Sequence, residues 1–286
     1  MTTGYADLHS HTTASDGMHS PAENVHMAES AGLEAIAITD HDTVAGIEEA
    51  MAEGKTCGIK VVPGVEISTV AYSQDIHILG YYIDYRDKDL LERLREQREL
   101  RGSRNGLILG KLAQLNMPLT MEEILAYSEE KKGEDETVGR PHIAAAMVAK
   151  GYAGSVSEAF DRYLAKGAAA YVNVPRLSPK EAIRWIHEAG GTAVLAHPGL
   201  YDAPELLAEL VSAGLDGIEA FHSDHTAEQE QAFVKEAERF GLIITAGSDF
   251  HGERGGEALH APIGTRKVNA AVLKLLNRRE LEHENP

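Results

Sequence analysis

The 286 residues, 43% hydrophobic and 25% charged, have a globular composition that excludes wholesale disorder, and the length suits two domains or one large one. No apolar run approaches the roughly 18 residues that span a bilayer, the first residues carry no export pattern, and the lone Cys57 excludes an internal disulfide and fits a reducing cytoplasm. A net charge of −18 argues against a broad nucleic-acid-binding surface but leaves room for a local basic pocket.

Tyr5–His9 reads as a strand, after which Ser20-Pro21 opens a helix ending near Gly32, with proline in the first turn. Leu33–Asp40 is a second strand and about Gly46–Lys55 a helix; Ile59–Ser68 and Asp75–Ile83 are the third and fourth strands. From Arg86 to Val172 no strand pattern occurs. Leu90, Leu91, Leu94, Leu107, Ile108 and Leu112 are spaced for a long amphipathic helix, and Thr120 with Glu123 has the capping-box spacing of a new helix start. Gly133–Gly139 reads as a polar loop, Pro141–Ala149 and Ser157–Leu164 as further helices. The alternation then resumes: helix Pro179–Ala189, strand Gly191–His197, helix Ala203–Ala213, strand Gly217–His222, helix Ala227–Phe240 and strand Leu242–Ser248. Strands alternating with helices imply parallel pairing through right-handed crossovers, and seven of them suggest a barrel. The expected fold is α/β, a barrel in two parts (1–85 and 173–286) interrupted by a small helical subdomain at 86–172.

Seven of the 14 histidines fall in register with this scheme. His9 and His11 close the first strand, with Asp16 just beyond; Asp40, His41 and Asp42 close the second, and Glu66 the third. His77 lies in the fourth strand, His197 closes the fifth, His222 the sixth, and Asp249 and His251 the seventh. Active sites of parallel barrels are built where the strand C-termini gather. Imidazoles and carboxylates without a thiolate suit Mn²⁺, Fe²⁺ or Zn²⁺. Nine of these twelve residues would supply about three or four ligands to each of three ions, Glu66 being shared, and are too many for one. Two ions about 3.5 to 4 Å apart would hold a bridging hydroxide and clamp an anionic oxygen, as in metal-dependent phosphoester hydrolysis.

Together, Asp7-Leu8-His9-Ser10-His11, Ser15-Asp16-Gly17, Thr39-Asp40-His41-Asp42, Gly64-Val65-Glu66, His77, Ala196-His197-Pro198 and Gly247-Ser248-Asp249-Phe250-His251 resemble the PHP (polymerase and histidinol phosphatase) superfamily over the whole chain. The helical insertion and Gly139-Arg140-Pro141-His142 are most similar to stand-alone nucleoside 3′,5′-bisphosphate phosphatases, some relatives of which trim short RNA from the 5′ end. The resemblance implies a distorted (β/α)₇ barrel with a trinuclear site. One ion would sit at His9, His11, Glu66 and Asp249, a second at Glu66, His77 and His197, and a third at Asp16, His41 and His251. It implies a metal-dependent phosphoesterase acting on a small phosphorylated substrate, a nucleotide or a short oligoribonucleotide, with three divalent ions, Mn²⁺ foremost. The activity expected is 3′-dephosphorylation of a nucleoside 3′,5′-bisphosphate. Trimming of short RNA by a 5′-to-3′ exoribonuclease activity, hydrolysis of histidinol phosphate or another sugar phosphate, and a non-catalytic PHP binding module are the alternatives.

Other polar residues carry two readings. Asp7, Asp40 and Asp42 are either ligands or partners that orient imidazoles. His222, followed by Ser223 and His225, either meets substrate, with a catalytic role beside Glu66 and Asp249, or is structural. Arg140 and His142, at a helix start, suit a phosphate; the other reading is an arginine that pins the insertion to the barrel. Arg86–Lys111 holds eight basic and five acidic residues and reads as an exposed, ion-paired helix, with Arg101 and Arg104 the two that could face the site. Gly252–Gly256 reads as a flap, Tyr81, Tyr82 and Tyr85 as strand packing, and His19, His26, His187, His260 and His283 as solvated or loop positions.

Overall fold

The computed structural model describes residues 4–127, 138–172, 177–254, 257–258 and 260–277. Most of the polar loop expected at Gly133–Gly139, part of the flap at Gly252–Gly256, and His283 lie outside the described residues. β1 (Tyr5–Asp7), β2 (Ala35–Ile38) and β3 (Lys60–Ala71) run parallel, joined through α1 (Pro21–Ser30) and α2 (Ile47–Cys57). Ser20 and Glu23 close a capping box at the start of α1, with Pro21 in its first turn.

The expectation of uniformly parallel strands fails at β4 (Gln74–Tyr81), which is antiparallel to both β3 and β5 (Thr192–Leu195). The cause is the two-residue turn Tyr72-Ser73, where both residues have positive φ (50° and 57°), as a tight hairpin requires. Neither residue is the usual Asn or Gly, so the turn is hidden in the sequence. β5, β6 (Gly217–His222) and β7 (Ile243–Gly247) return to parallel pairing, through α8 (Leu206–Ser212) and α9 (Ala227–Phe240). A short hairpin, β8 (Glu253–Arg254) with β9 (Glu257–Ala258), precedes β10 (Val268–Asn269), which pairs antiparallel with β1. The Leu8 amide donates to the Ala246 carbonyl at 3.0 Å, tying the first strand to the seventh and nearly closing an eight-stranded barrel.

Alternation along the strands separates two packing layers. Ala35 and Ala37 join Leu8, Val62, Leu79 and Tyr81 in the barrel interior, which α10 (Val272–Leu276) plugs with Leu273 and Leu276. Ile36 and Ile38 face outward onto Val25 and Ala28 of α1 and Ala50 of α2. On the opposite side α7 (Pro179–Glu188), with Ile183 and Ile186, covers Ile76 and Ile78 of β4.

Between β4 and α7 the described chain is helical: α3 (Lys88–Gln114), α4 (Met121–Tyr127), α5 (Arg140–Ala149), α6 (Val156–Ala159) and a π turn at Phe160–Leu164. The long helix bridges two cores. Leu90 and Leu94 pack into the barrel's outer layer, whereas Ile108 and Leu112 belong to a separate cluster with Ile124, Ile143 and Met147. Leu91 and Leu107, expected on its apolar stripe, are instead solvent-exposed. Among the described residues no helix is long and apolar enough to cross a membrane.

Candidate metal centre

The ladders end earlier than the apolar runs suggest. β1 stops at Asp7 and β2 at Ile38, so His9, His11 and His41 project from the segments just beyond the strands. β4 enters from the other direction, and its reversed course is what brings His77 to the mouth, where it pairs with Ser68, two residues past Glu66. All nine residues expected from the sequence converge there. Glu66 is the hub: its Oε1 lies 2.8 Å from His77 Nδ1, 3.1 Å from His197 Nε2 and 3.5 Å from His9 Nε2. Its Oε2 lies 2.9 Å from His41 Nδ1 and 3.2 Å from His11 Nε2. Asp249 Oδ1 is 3.2 Å from both His9 Nε2 and His11 Nε2, and Asp16 Oδ1 is 3.4 Å from His251 Nε2.

Buried in this cluster, His9 Nε2, His11 Nε2, Asp16 Oδ1, Glu66 Oε2 and Asp249 Oδ1 make no hydrogen bond and face one another. Such atoms are costly in a protein interior unless something neutralises and coordinates them. Converging nitrogen and oxygen donors without a thiolate are the donor chemistry of a divalent cation. Burial opposes charge on Glu66, yet His41, His77 and His9 hold its carboxyl well below the usual range. Asp16 is also held low against burial, by His41 and His251, and so is Asp249, by His9, His260 and His251. Burial pushes His197 down to about 4, which keeps its imidazole neutral and its lone pair available. Asp42, His197, Asp249 and His260 all have positive φ; strain of this kind persists where surrounding contacts dictate the geometry.

The PHP domain profile matches residues 7–178. The chain belongs to the PHP domain family. The 5′-3′ exoribonuclease of Haemophilus influenzae is 38% identical over 88% of this chain and 91% of its own length. The 3′,5′-nucleoside bisphosphate phosphatase of Chromobacterium violaceum is 33% identical over 89% of this chain and 90% of its own. The solved structure of a Bifidobacterium adolescentis protein matches with a TM-score of 0.86 and 32% identity, covering 96% of each chain. This PHP domain is accordingly a metal-dependent phosphoesterase.

Around the PHP cluster, the three aspartates with two readings bind backbone and loop groups rather than imidazoles. Asp7 accepts from the amides of Ser248 and Gly264, at 3.0 and 2.8 Å. Asp40 takes the Thr12 amide at 2.8 Å and the Ser15 hydroxyl at 2.5 Å, fixing the loop that carries Asp16. Asp42 accepts from the Ser68 amide at 2.8 Å and pairs with Arg101, which also reaches Ser68 Oγ at 2.6 Å. The imidazoles are oriented by residues that sequence reasoning missed. Both oxygens of Glu219 lie at His9 Nδ1, 3.1 and 3.2 Å away, and Tyr201 Oη lies 2.9 Å from His197 Nδ1. Glu219 was detectable as a lone carboxylate inside an otherwise apolar strand; Tyr201 follows the irregular Pro198–Leu200 turn and left no signal.

His222 is fully buried, with Nε2 3.3 Å from Asp249 Oδ2. His225 is structural, bridging the Ala220 carbonyl and the Gly199 amide at 3.1 and 3.0 Å. His260 lies on a loop, as the sequence suggests, but that loop reaches the centre: Nδ1 is 2.7 Å from Asp224 and Nε2 3.7 Å from Asp249. Burial opposes its charge, yet Asp249 and Asp224 push it up to about 9. Arg140 pairs with Asp75 of β4 at 2.5 Å and donates to the Leu164 carbonyl at 3.3 Å, while His142 Nδ1 accepts the Gly139 amide at 3.0 Å. The α5 N-terminus abuts the cluster, since a Cβ on Gly139 would lie 3.5 Å from Asp16 Oδ2. Arg104 is buried on α3, with Nη2 3.3 Å from Asn105 Oδ1.

Proposed function

We propose that this PHP domain hydrolyses the 3′-phosphoester of a nucleotide that carries a 5′-phosphate, converting nucleoside 3′,5′-bisphosphates to 5′-monophosphates. The observation that carries this reading is a cavity of about 330 Å³ opening from His77 and His197. That is the size of a small-ligand site. Lys166 and Tyr171, from the inserted segment, form part of its wall together with Asp75, whose carboxylate is paired with Arg140. A substrate with one phosphate at the cluster and another near these cations matches that charge layout. Residues 86–172 are then the substrate cap on a barrel formed by 1–85 and 173–286.

Three divalent ions, Mn²⁺ foremost and Fe²⁺ or Zn²⁺ otherwise, would be held in three sets, the first two of which share Glu66: His9, His11, Glu66 and Asp249; Glu66, His77 and His197; Asp16, His41 and His251. When bound they supply Lewis acidity to the phosphoryl oxygens and lower the pKa of water. The protein's own groups do the positioning. His222 holds Asp249 Oδ2, so that Oδ1 stays turned to His9 and His11. Arg140 and His142, at the first turn of α5, hold the phosphate that is not cleaved, together with Lys166. Hydrolysis breaks the bond between phosphorus and O3′, leaving O3′ as a hydroxyl.

A second reading rests on the higher identity to the exoribonuclease, 38% against 33%. An exoribonuclease that releases 5′-monophosphates from a 5′ end breaks the same bond, with RNA on the far side of the phosphate. Phosphate and nucleotide release should be compared for a 3′,5′-bisphosphate, the matched 3′-monophosphate and a 5′-phosphorylated trinucleotide, with Mn²⁺ added. The bisphosphate should exceed the monophosphate at least ~10-fold in kcat/KM, the low end for losing a charge-assisted contact. Equal rates would overturn the anchored 5′-phosphate, and a preferred trinucleotide would replace the first reading by the second.

A further inference from the structure

Glu219 is fully buried in β6, between Ile218 and Ala220, at a register shift that ends at Phe221. Its two oxygens make two different kinds of contact. Both face His9 Nδ1, at 3.1 and 3.2 Å, and Oε2 also accepts the backbone amide of His197 at 2.8 Å. His197 is a non-glycine residue at φ 25° and ψ 59°, a conformation that needs such a restraint. The approach of His9 to Glu219 depends on Gly247 of the neighbouring strand: a Cβ there would lie 2.1 Å from His9 Cβ and 2.6 Å from Glu219 Oε1. A carboxylate at Nδ1 makes that nitrogen the N–H donor, so that Nε2 would be the ring nitrogen offered to an ion beside Glu66 and Asp249.

We propose that Glu219 is a positioning residue that orients His9 and His197 together, coupling two of the three ion positions and leaving the third independent. His9 belongs to the first set and His197 to the second, whereas the contacts of the third set run to its own members and to Glu66 and Asp249: His41 to Asp16 and Glu66, His251 to Asp16 and to the Asp249 carbonyl. The inference rests on the three-ion reading above. Loss of an outer carboxylate behind a metal-bound histidine weakens metal affinity by roughly 10- to 100-fold. Here one substitution should weaken two ions by that factor and the third by little.

The test is Glu219→Gln in the full chain. A glutamine keeps the volume, but whichever way its amide is turned the NH₂ faces the His9 N–H, because both Glu219 oxygens lie there. Metal-free protein is titrated with Mn²⁺ against a competing chelator, and its melting temperature without metal is recorded beside wild type. The result expected is two weakened equivalents, one near wild type, and a metal-free melting temperature close to wild type. Glu219→Asp, which keeps the acceptors on a shorter arm, should fall between the two, and it decides the matter if the glutamine variant does not fold. Three wild-type affinities in Glu219→Gln, or uniform weakening of all three, would overturn the coupling. Wild-type protein that binds a single ion would instead overturn the three-ion reading itself.

Discussion

At the barrel mouth the buried residues are histidines and carboxylates, held on segments just past the strands, several with strained backbone. In the inserted helices the buried residues are Ile108, Leu112, Ile143 and Met147, in ordinary helical packing, and the cations Lys166 and Arg140 lie toward the barrel. The mouth spends stability on chemistry, since charges buried among neutral strands persist only through mutual contact. The insertion has an apolar core of its own, and among the described residues it meets the mouth through Gly139 beside Asp16, Arg140 on Asp75, Arg98 on the Asp42 carbonyl, and Arg101 on Asp42 and Ser68. With the insertion as the substrate cap proposed above, reaction and selectivity would be separable, and substitutions in the two regions should differ in kind.

The largest effect belongs to Glu66→Ala. Its carboxylate faces five imidazoles, so under metal saturation phosphate release should fall further than in His251→Ala, while far-UV circular dichroism stays like wild type. Equal losses in the two variants would contradict the sharing of Glu66 between two ions. The insertion should respond differently. Arg140→Ala is expected to raise KM for a 3′,5′-bisphosphate, lowering kcat/KM by roughly 10- to 150-fold, and to leave a 3′-monophosphate nearly unchanged. Arg140→Lys should recover only part of this, because a point charge does not reproduce the guanidinium fork. Equal penalties on both substrates would reduce Arg140 to its tie with Asp75 and Leu164.

How much of this contrast is legible in the sequence depends on where a residue stands. His9, His41, Glu66, His197 and Asp249 are visible because each follows an apolar run, and the barrel requires such positions to meet. Glu219 stands inside a strand, where a carboxylate reads as an interruption, and only three-dimensional pairing with His9 shows its place. The direction of β4 is hidden because Tyr72-Ser73 adopts a turn that the residue types do not announce. The insertion's helices are legible from spacing, but the contact of Arg140 with Asp75 joins residues 65 positions apart and has no local signature.

The smallest effect on activity, and a useful contrast in stability, concerns Asp7 beneath the mouth. Burial pushes its carboxyl from 3.8 up to about 6, against the amides of Gly264 and Ser248. A carboxyl raised on folding favours the folded state when protonated, so its contribution is whole below pH 4 and is lost as pH rises through 6. The advantage of wild type over Asp7→Asn, in urea unfolding of metal-free protein, should shrink by roughly 3 kcal/mol between those limits. An advantage that grows with pH would contradict the burial argument.

The central claim is that the mouth works as a divalent-metal site, and it is tested most directly on one preparation carried through chelation and re-addition. Elemental analysis should find about two to three Mn, Fe or Zn ions per chain, given the donor count. Turnover should vanish with the chelator and return with Mn²⁺. Undiminished phosphate release from protein stripped of every metal would contradict the account.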